Sequence, residues 1–303
     1  MRTPRKPFFL PLGSLLVIFL VGGLVLWRGR QPRTWAHISS EDHASSLRVI
    51  SLAPSLTEIL FALGLEKNLV GVTEYCDYPP QAQEKPGVGS FMQPNLERIL
   101  ELQPHILLTV NPVPSSVAFV LEQSGIQILQ LAQSRLQDLF PAIQRLGELF
   151  NATGSAQNLS QDLERRLDSV RRIYADIPLG KRPRVFVEIW HNPLTVPGRD
   201  SFITDLVLAA GAVSVTGQMP GDYLTLSQDA VVAMDPEWII VAEMGESKPT
   251  LDALRSRLGW QEIHAVREGN ILSDLDPSFF LRPGPRLVEG VETLYRRLHG
   301  EAS

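Results

Sequence analysis

The sequence has a single cysteine, fewer basic than acidic residues and none of the common catalytic motifs. Among its 303 residues only Cys76 carries a thiol, so an intramolecular disulfide and a cysteine-based zinc site are both excluded. Its 28 basic residues are outnumbered by 33 acidic ones and are spread along the chain, which argues against a nucleic-acid-binding face. The fold must therefore be held together by its apolar core.

The sequence also lacks the residue patterns expected of an enzyme. It has no G-x-S-x-G elbow, no P-loop lysine motif and no H-E-x-x-H zinc motif, and its six histidines are scattered. One of them, His191 beside Trp190, either ligates a metal or is hydrogen-bonded within a loop. We predict a non-catalytic protein without a cofactor or metal of its own.

One long hydrophobic run lies near the N-terminus. Residues 8–27 carry no charge, and a helix of that length would span about 30 Å, the thickness of the bilayer core. Arginines and a lysine flank the run on both sides, so the positive-inside rule does not orient it. A signal peptide is the alternative, although the run is long and its cleavage candidate, residues 34–36, is weak. We predict a membrane anchor or signal segment at 1–27 and a polar tether at 28–46.

From residue 47 onward, short apolar runs alternate with amphipathic segments, a pattern typical of parallel α/β folds. In the first series we predict strands at 47–54, 69–72, 106–110 and 126–131 and helices at 55–64, 95–102, 116–124 and 137–150. In the second series we predict strands at 184–190, 238–242 and 270–273 and helices at 202–210 and 286–298. The pattern predicts two Rossmann-like lobes, an N-terminal one at 47–150 and a C-terminal one at 181–303.

A long amphipathic segment separates the two predicted lobes. Between residues 155 and 177 apolar side chains recur every three or four positions, which predicts a helix of about 33 Å. Pro178, Gly180 and Pro183 break the chain before the next strand begins. The segment is either an ordinary surface helix of one domain or a rigid strut between two lobes. We assign 151–180 to a bridging helix.

One pattern occurs twice, at residues 95–108 and 227–240. Each copy has a capping residue, Asn95 or Ser227, and an acid two positions later, Glu97 or Asp229, followed by an apolar helix, a proline and a strand. An acid in the first turn stabilises a helix by ~0.3–1 kcal/mol, which would be reason enough for its presence. Alternatively, the two acids form a paired docking surface for a partner with matching arginines.

Four segments of the sequence are distinctive: RVISLAPSLTEILFALG at 48–64, VGVTEYCDYPPQAQ at 70–83, NLERILELQPHILL at 95–108 and RPGPRLVEGVETL at 282–294. Together they resemble the periplasmic substrate-binding proteins of ABC importers for cobalamin, ferric siderophores and haem, and most of all the cobalamin binders. The resemblance covers about residues 47–300. It implies two α/β lobes joined by one long helix, a ligand held between them with little hinge motion, and a position outside the cytoplasm.

The resemblance also implies a partner, a permease dimer with its ATPase. In the family an acid on each lobe engages arginines of the permease. The matching positions here are Glu97 and Asp229, where aspartate replaces the more usual glutamate.

Ligand-binding residues are expected on loops at the carboxyl ends of strands. A corrinoid is a broad disc that needs aromatic walls and a few polar groups. The resemblance implies that Tyr75 faces the ligand, that Phe91 replaces a stacking tryptophan and that Arg282 contacts the ligand. Each candidate also has a structural alternative in a turn, in the core or at the solvated surface. The full set of candidates is Tyr75, Tyr78, Phe91, Trp190, Phe279, Phe280 and Arg282.

The sequence departs from the cobalamin binders at three further places. Val110 and Ile189 occupy positions that are aromatic in those proteins, and Ser278 stands where an acid is expected, with Asp276 nearby. We predict the solute-binding component of an importer for cobalamin or a related metal chelate, anchored at the extracytoplasmic face of the inner membrane. The alternatives are a ferric-siderophore or haem binder of the same family, or a membrane-tethered ligand sensor.

Overall fold

The computed structural model describes residues 46–243 and 249–300, all of which belong to one compact unit. The predicted membrane segment and nearly all of the predicted tether lie outside these residues. Among the helices that are described, none combines the length and the apolar character needed to cross a bilayer.

The first half of the chain builds a four-stranded parallel sheet. Its strands are β1 (Val49–Ser51), β2 (Leu69–Val72), β3 (Ile106–Thr109) and β4 (Gln127–Gln130), in the order β2-β1-β3-β4. Its helices are α1 (Pro54–Ala62), α2 (Leu96–Glu101), α3 (Ser115–Gln123) and α4 (Leu139–Leu149). β1 and β3 are buried along their whole length, which is why they read as uninterrupted apolar runs rather than as alternating patterns.

The second half begins after the long helix α5 (Thr153–Ile173). Its strands are β5 (Arg184–Glu188), β6 (Trp190–His191), β7 (Leu194–Pro197), β8 (Val213–Ser214), β9 (Tyr223–Thr225), β10 (Trp238–Val241) and β11 (Ile271–Leu272). Its helices are α6 (Phe202–Ala209), α7 (Gln228–Met234), α8 (Leu251–Arg255), α9 (His264–Glu268), α10 (Ser278–Leu281) and α11 (Arg286–His299). Short 3-10 helices occupy Pro80–Glu84, Leu136–Asp138, Leu179–Lys181 and Trp260–Glu262.

The second parallel sheet repeats the topology of the first. Its order is β11-β10-β5-β8, and every pairing is parallel. Read from the other edge, β8-β5-β10-β11 matches β2-β1-β3-β4. β3 and β10, the strands at the ends of the two copies of the repeated sequence pattern, therefore take equivalent places in the two sheets.

A small antiparallel sheet, β6-β7-β9, extends the second half. The prediction of one strand over 184–190 is wrong, because the chain leaves the parallel sheet after Glu188. The N–H of Ile189 donates to the carbonyl of Thr195, 2.9 Å away, so the backbone turns toward β7. β7, β8 and β9 have no counterpart among the predicted strands, and β6 overlaps them only at Trp190.

Helix α5 runs for 21 residues, about 32 Å at the standard rise, and ends before the predicted residue 177. Its buried face includes Leu163 and Leu167, and these side chains belong to one apolar cluster with Val49 of β1, Val185 of β5 and Leu294 of α11. Helices α4 and α11 pack along α5. The two halves thus share a continuous core, and separating them would expose apolar surface to water.

Candidate ligand-binding cleft

A cavity of about 430 Å³ opens between the two halves at the carboxyl ends of β1 and β3. The first half lines it with residues 52–55, which follow β1, and with residues 109–111 at the end of β3. The second half contributes Tyr223 of β9 and residues 281–283, which connect α10 to α11. Open parallel sheets present their ligands at this edge, so the cavity lies where a ligand is expected.

Aromatic rings from both halves face this cavity and are half exposed. Tyr75, on the loop after β2, and Phe91, on the loop before α2, are 44% and 46% exposed, and their ring centroids lie 6.4 Å apart. Tyr223 is 51% exposed. Completing the burial of one such ring is worth roughly 1 kcal/mol, so a broad apolar ligand would gain stability from each of them.

Arg282 also lines the cavity, but its charge is already paired. Both of its terminal nitrogens donate to the carboxylate of Asp77 in a bidentate arrangement, with Nη2 2.9 Å from Oδ2. Hydrogen bonding from the Arg282 guanidinium holds the pKa of Asp77 below its ordinary value. The resemblance implies that Arg282 contacts the ligand, and the structure adds an ion pair that joins the two halves.

Tyr78 lies in a second cavity, of about 420 Å³, which α1, α5 and α11 border. The guanidinium of Arg286 lies over its ring, 3.8 Å from the centroid. Arg286 also donates to Glu58, with Nη2 2.9 Å from Oε1, and burial raises the pKa of that glutamate. Tyr78 therefore packs against the Arg286–Glu58 pair in the second cavity and is not among the residues that line the cleft.

Phe279 and Phe280 do not line the cleft either. Phe280 is fully buried in the core, so the prediction that it contacts a ligand is wrong: its ring is enclosed by apolar side chains. Phe279 is partly buried, packs against the same core and lies close to Gly290 of α11.

Trp190 and His191 extend the aromatic surface of the second half. Their rings stack with centroids 5.6 Å apart, and the tryptophan Nε1 donates to the carbonyl of Asn192 at 3.0 Å. Trp190 lies opposite Thr195, and Thr195 lies opposite Thr225, so Trp190 and Tyr223 project from one face of the small sheet. Trp190 is not among the residues that line the cavity, and it is joined to the cavity only by the sheet face that it shares with Tyr223.

His191 is held in one orientation by a buried acid. Its Nδ1 lies 2.8 Å from Oε1 of Glu243, which is nearly fully buried. A histidine fixed through one ring nitrogen in this way can present the other to a metal. Among the described residues, no group of three or more His, Cys, Asp or Glu side chains could hold a metal ion.

Tyr223, which lines the cleft, and Asp77, which pairs with the lining residue Arg282, escaped sequence reasoning. Tyr223 begins a short alternating strand directly after Gly221 and Asp222, and this turn-then-strand signal could have identified it. Asp77 gave no local signal, because its partner Arg282 lies 205 positions away in the chain.

Glu97 and Asp229 occupy matching places in the two halves. Both are exposed in the first turns of α2 and α7. The cap at each helix is made by another residue: Asn95 Oδ1 accepts from the N–H of Arg98 at 3.0 Å, and Ser227 Oγ accepts from the N–H of Ala230 at 3.3 Å. Neither acid is therefore needed as a cap.

Comparison with known proteins agrees with this architecture. Residues 49–276 match the family described as periplasmic binding protein. The chain belongs to the periplasmic binding protein family. This confirms the family predicted from the sequence, together with an α/β fold built on parallel sheets.

Two proteins with similar sequences are named as binding proteins. An uncharacterized ABC transporter substrate-binding lipoprotein, YvrC of Bacillus subtilis, is 30% identical over 258 residues, which cover 83% of this chain and 80% of that protein. A vitamin B12-binding protein of Photorhabdus laumondii is 26% identical over 267 residues, covering 86% of this chain and 91% of that protein.

Solved structures give the same picture. The periplasmic vitamin B12-binding protein BtuF of Vibrio cholerae has a TM-score of 0.69 at 27% identity and covers 83% of this chain and 96% of its own. A periplasmic heme-binding protein from Pseudomonas aeruginosa has a TM-score of 0.75 at 27% identity, with 84% and 94% covered. The fold is thus shared by proteins whose ligands differ.

Proposed function

We propose that this periplasmic binding protein is the extracytoplasmic solute-binding component of an ABC importer, and that it holds cobalamin or a related metal chelate between its two halves. The observation that carries the proposal is the aromatic cleft. Tyr75 and Phe91 from one half and Tyr223 from the other leave half-exposed rings around a cavity at the carboxyl ends of β1 and β3. A flat, largely apolar chelate is the class of ligand that such walls suit.

The relatives support this choice of ligand. The proteins of Photorhabdus and Vibrio described above are named for vitamin B12, and both are aligned over most of their length. The relative from Bacillus subtilis is named as a substrate-binding lipoprotein of an ABC transporter. We infer that the cleft faces the extracytoplasmic space and that residues 1–27 anchor or export the chain.

Ferric-siderophore or haem binding is the second candidate, and one observation favours haem. His191 is fixed by Glu243 through Nδ1, and the histidine is half exposed beside Trp190. Its Nε2 is then the ring nitrogen that could ligate the iron of a porphyrin.

A binding titration separates these candidates. The purified full chain is titrated with cyanocobalamin, haemin and a panel of ferric siderophores, and tryptophan fluorescence is followed after correction for ligand absorbance. We expect saturable quenching by cyanocobalamin, reduced in a Trp190→Phe variant because Trp190 lies on the same sheet face as Tyr223 of the cleft. Saturation by haemin alone would select the second candidate, and the absence of saturable binding to any ligand would contradict importer function.

We further propose that Glu97 and Asp229 dock the protein onto the permease. Both acids are exposed, and within the described residues neither forms an ion pair. The change to test is Glu97→Lys or Asp229→Lys, which we expect to abolish ligand uptake by cells while leaving ligand affinity unchanged. Glu122→Lys, a reversal at another exposed acid of the first half, is the matched control and should leave uptake intact. A loss of affinity would assign the two acids to the site or the fold instead.

A further inference from the structure

The charge balance inside the cleft points to the chemistry of the ligand's rim. Of the described residues that line the cavity, Arg282 is the one that carries a full charge. Its side chain is only 5% exposed, whereas that of its partner Asp77 is 45% exposed. Asp77 is not among the residues that line the cavity, so it acts on a ligand there through its pairing with Arg282.

The geometry of the pair leaves Arg282 little capacity for another anion. The two terminal nitrogens face the two oxygens of Asp77, the fork-to-fork arrangement that an arginine would otherwise offer to a ligand carboxylate. Arginine stays protonated in proteins, and the lowered pKa of Asp77 keeps that carboxyl ionised at neutral pH. The pair is thus neutral as a unit.

A second arginine of this region, Arg286, is also paired with carboxylates. Its Nη2 donates to Oε1 of Glu58, and its Nη1 lies 3.4 Å from Oδ2 of Asp276. A carboxylate entering the cleft at Arg282 would lose its hydration, meet the negative charge of Asp77 and find the arginine donors already used. An uncharged amide or ester at the same place would lose its hydrogen bonds to water but would meet no charge repulsion.

We propose that Asp77 is a specificity-determining residue, which neutralises Arg282 so that the cleft selects a broad chelate with an uncharged rim over one with a carboxylate rim. The inference rests on the proposed function, because it concerns the ligand held in the same cleft. It favours an amide-rimmed corrinoid over a porphyrin dicarboxylate.

Matched pairs of ligands test the inference. The first pair is cyanocobalamin and its derivatives in which one side-chain amide is hydrolysed to a carboxylic acid, with each isomer measured separately. The second pair is haemin dimethyl ester and haemin. The two ligands of each pair share the same ring system and differ in whether they carry a carboxylate. The ratio of their dissociation constants for the full chain therefore measures how strongly the cleft rejects the carboxylate.

We expect the wild type to prefer the uncharged member of whichever pair it binds. Asp77→Asn keeps the size of the side chain and frees the charge of Arg282, so the ratio should shift toward the carboxylate member by about tenfold or more. Arg282→Gln leaves Asp77 unbalanced and should shift the ratio in the opposite direction. The double variant removes both charges and should restore a preference for the uncharged member.

Asp205→Asn is the control for a general loosening of the two halves. Asp205 of α6 forms a bidentate pair with Arg135 of the first half, and neither residue lines the cleft. The ratio should not change in this variant. Thermal unfolding of each variant shows that it is folded.

Two results would overturn the inference alone: a wild type that binds the carboxylate member as well as the uncharged one, or an unchanged ratio in Asp77→Asn. A wild type that binds neither scaffold but does bind a ferric siderophore would also overturn the inference, and one that binds none of these ligands would overturn the proposed function as well.

Discussion

Replacing Gly284 by alanine tests how the two halves are held together at the cleft. Gly284 is buried in the turn between α10 and α11, between Pro283 and Pro285, and faces α1 of the first half. A Cβ added there would lie 2.8 Å from Oε2 of Glu58 and 3.3 Å from Cα of Ser55. Because the backbone at Ser55 cannot turn aside, either the loop or the Glu58 side chain must move.

The size of the effect follows from this contact. Forcing one extra methyl group into a packed site costs about 1–3 kcal/mol. Glu58 is buried and bonded to Arg286, so moving its carboxylate also disturbs that pair. For a chain of this size, 1 kcal/mol corresponds to roughly 2–4 °C in Tm, so we expect a decrease of about 2–12 °C.

Circular dichroism during heating measures the change in Tm. Gly180→Ala is the matched control, because a Cβ there meets nothing within 4 Å. We expect the control to unfold within about 2 °C of the wild type. The loop with Gly284 also carries Arg282, so we expect weaker ligand binding in Gly284→Ala as well. If Gly284→Ala unfolds at the wild-type temperature, the close packing of this loop on α1 does not hold the halves together.

Two further predictions concern stability. Phe280→Ala should lower the free energy of unfolding, measured in denaturant, by about 3–5 kcal/mol, because the ring is fully buried. Phe91→Ala should change it by less than about 1 kcal/mol, because that ring is half exposed. Equal losses in the two variants would contradict these placements of the rings. The lowered pKa of Asp77 contributes stability above the ordinary value of 3.8, and this stability is lost as the pH falls through the lower value in the folded state. The Tm difference between wild type and Asp77→Asn should therefore shrink below about pH 4, and a constant difference down to pH 2 would contradict the ion pair.

The parts of the fold that depend on local pattern could be predicted from the sequence. β2 matches the predicted residues 69–72, and α4 lies within the predicted 137–150, because uninterrupted apolar runs and helical periodicity are properties of neighbouring residues. The repeated pattern at 95–108 and 227–240 foretold two similar helix-strand units, and Asn95 and Ser227 cap their helices as expected.

The site was harder to predict, because its members meet only in the folded chain. Phe279 and Phe280 are the same residue type at adjacent positions, and packing alone decides that the second is enclosed in the core. The neutralisation of Arg282 depends on Asp77, which is distant in sequence. Two-residue strands such as β6 and β8 carry too little pattern to be recognised.

The most direct test of a ligand held between the two halves is the affinity of two single variants, one from each half. Phe91→Ala removes a ring of the first half, and Tyr223→Ala removes a ring of the second, both half exposed at the cavity. Titration of the full chain with cyanocobalamin should show each variant binding about tenfold more weakly or worse, with Tm lowered by no more than about 4 °C. Wild-type affinity in either variant would mean that its half does not contact the ligand, and would contradict the account.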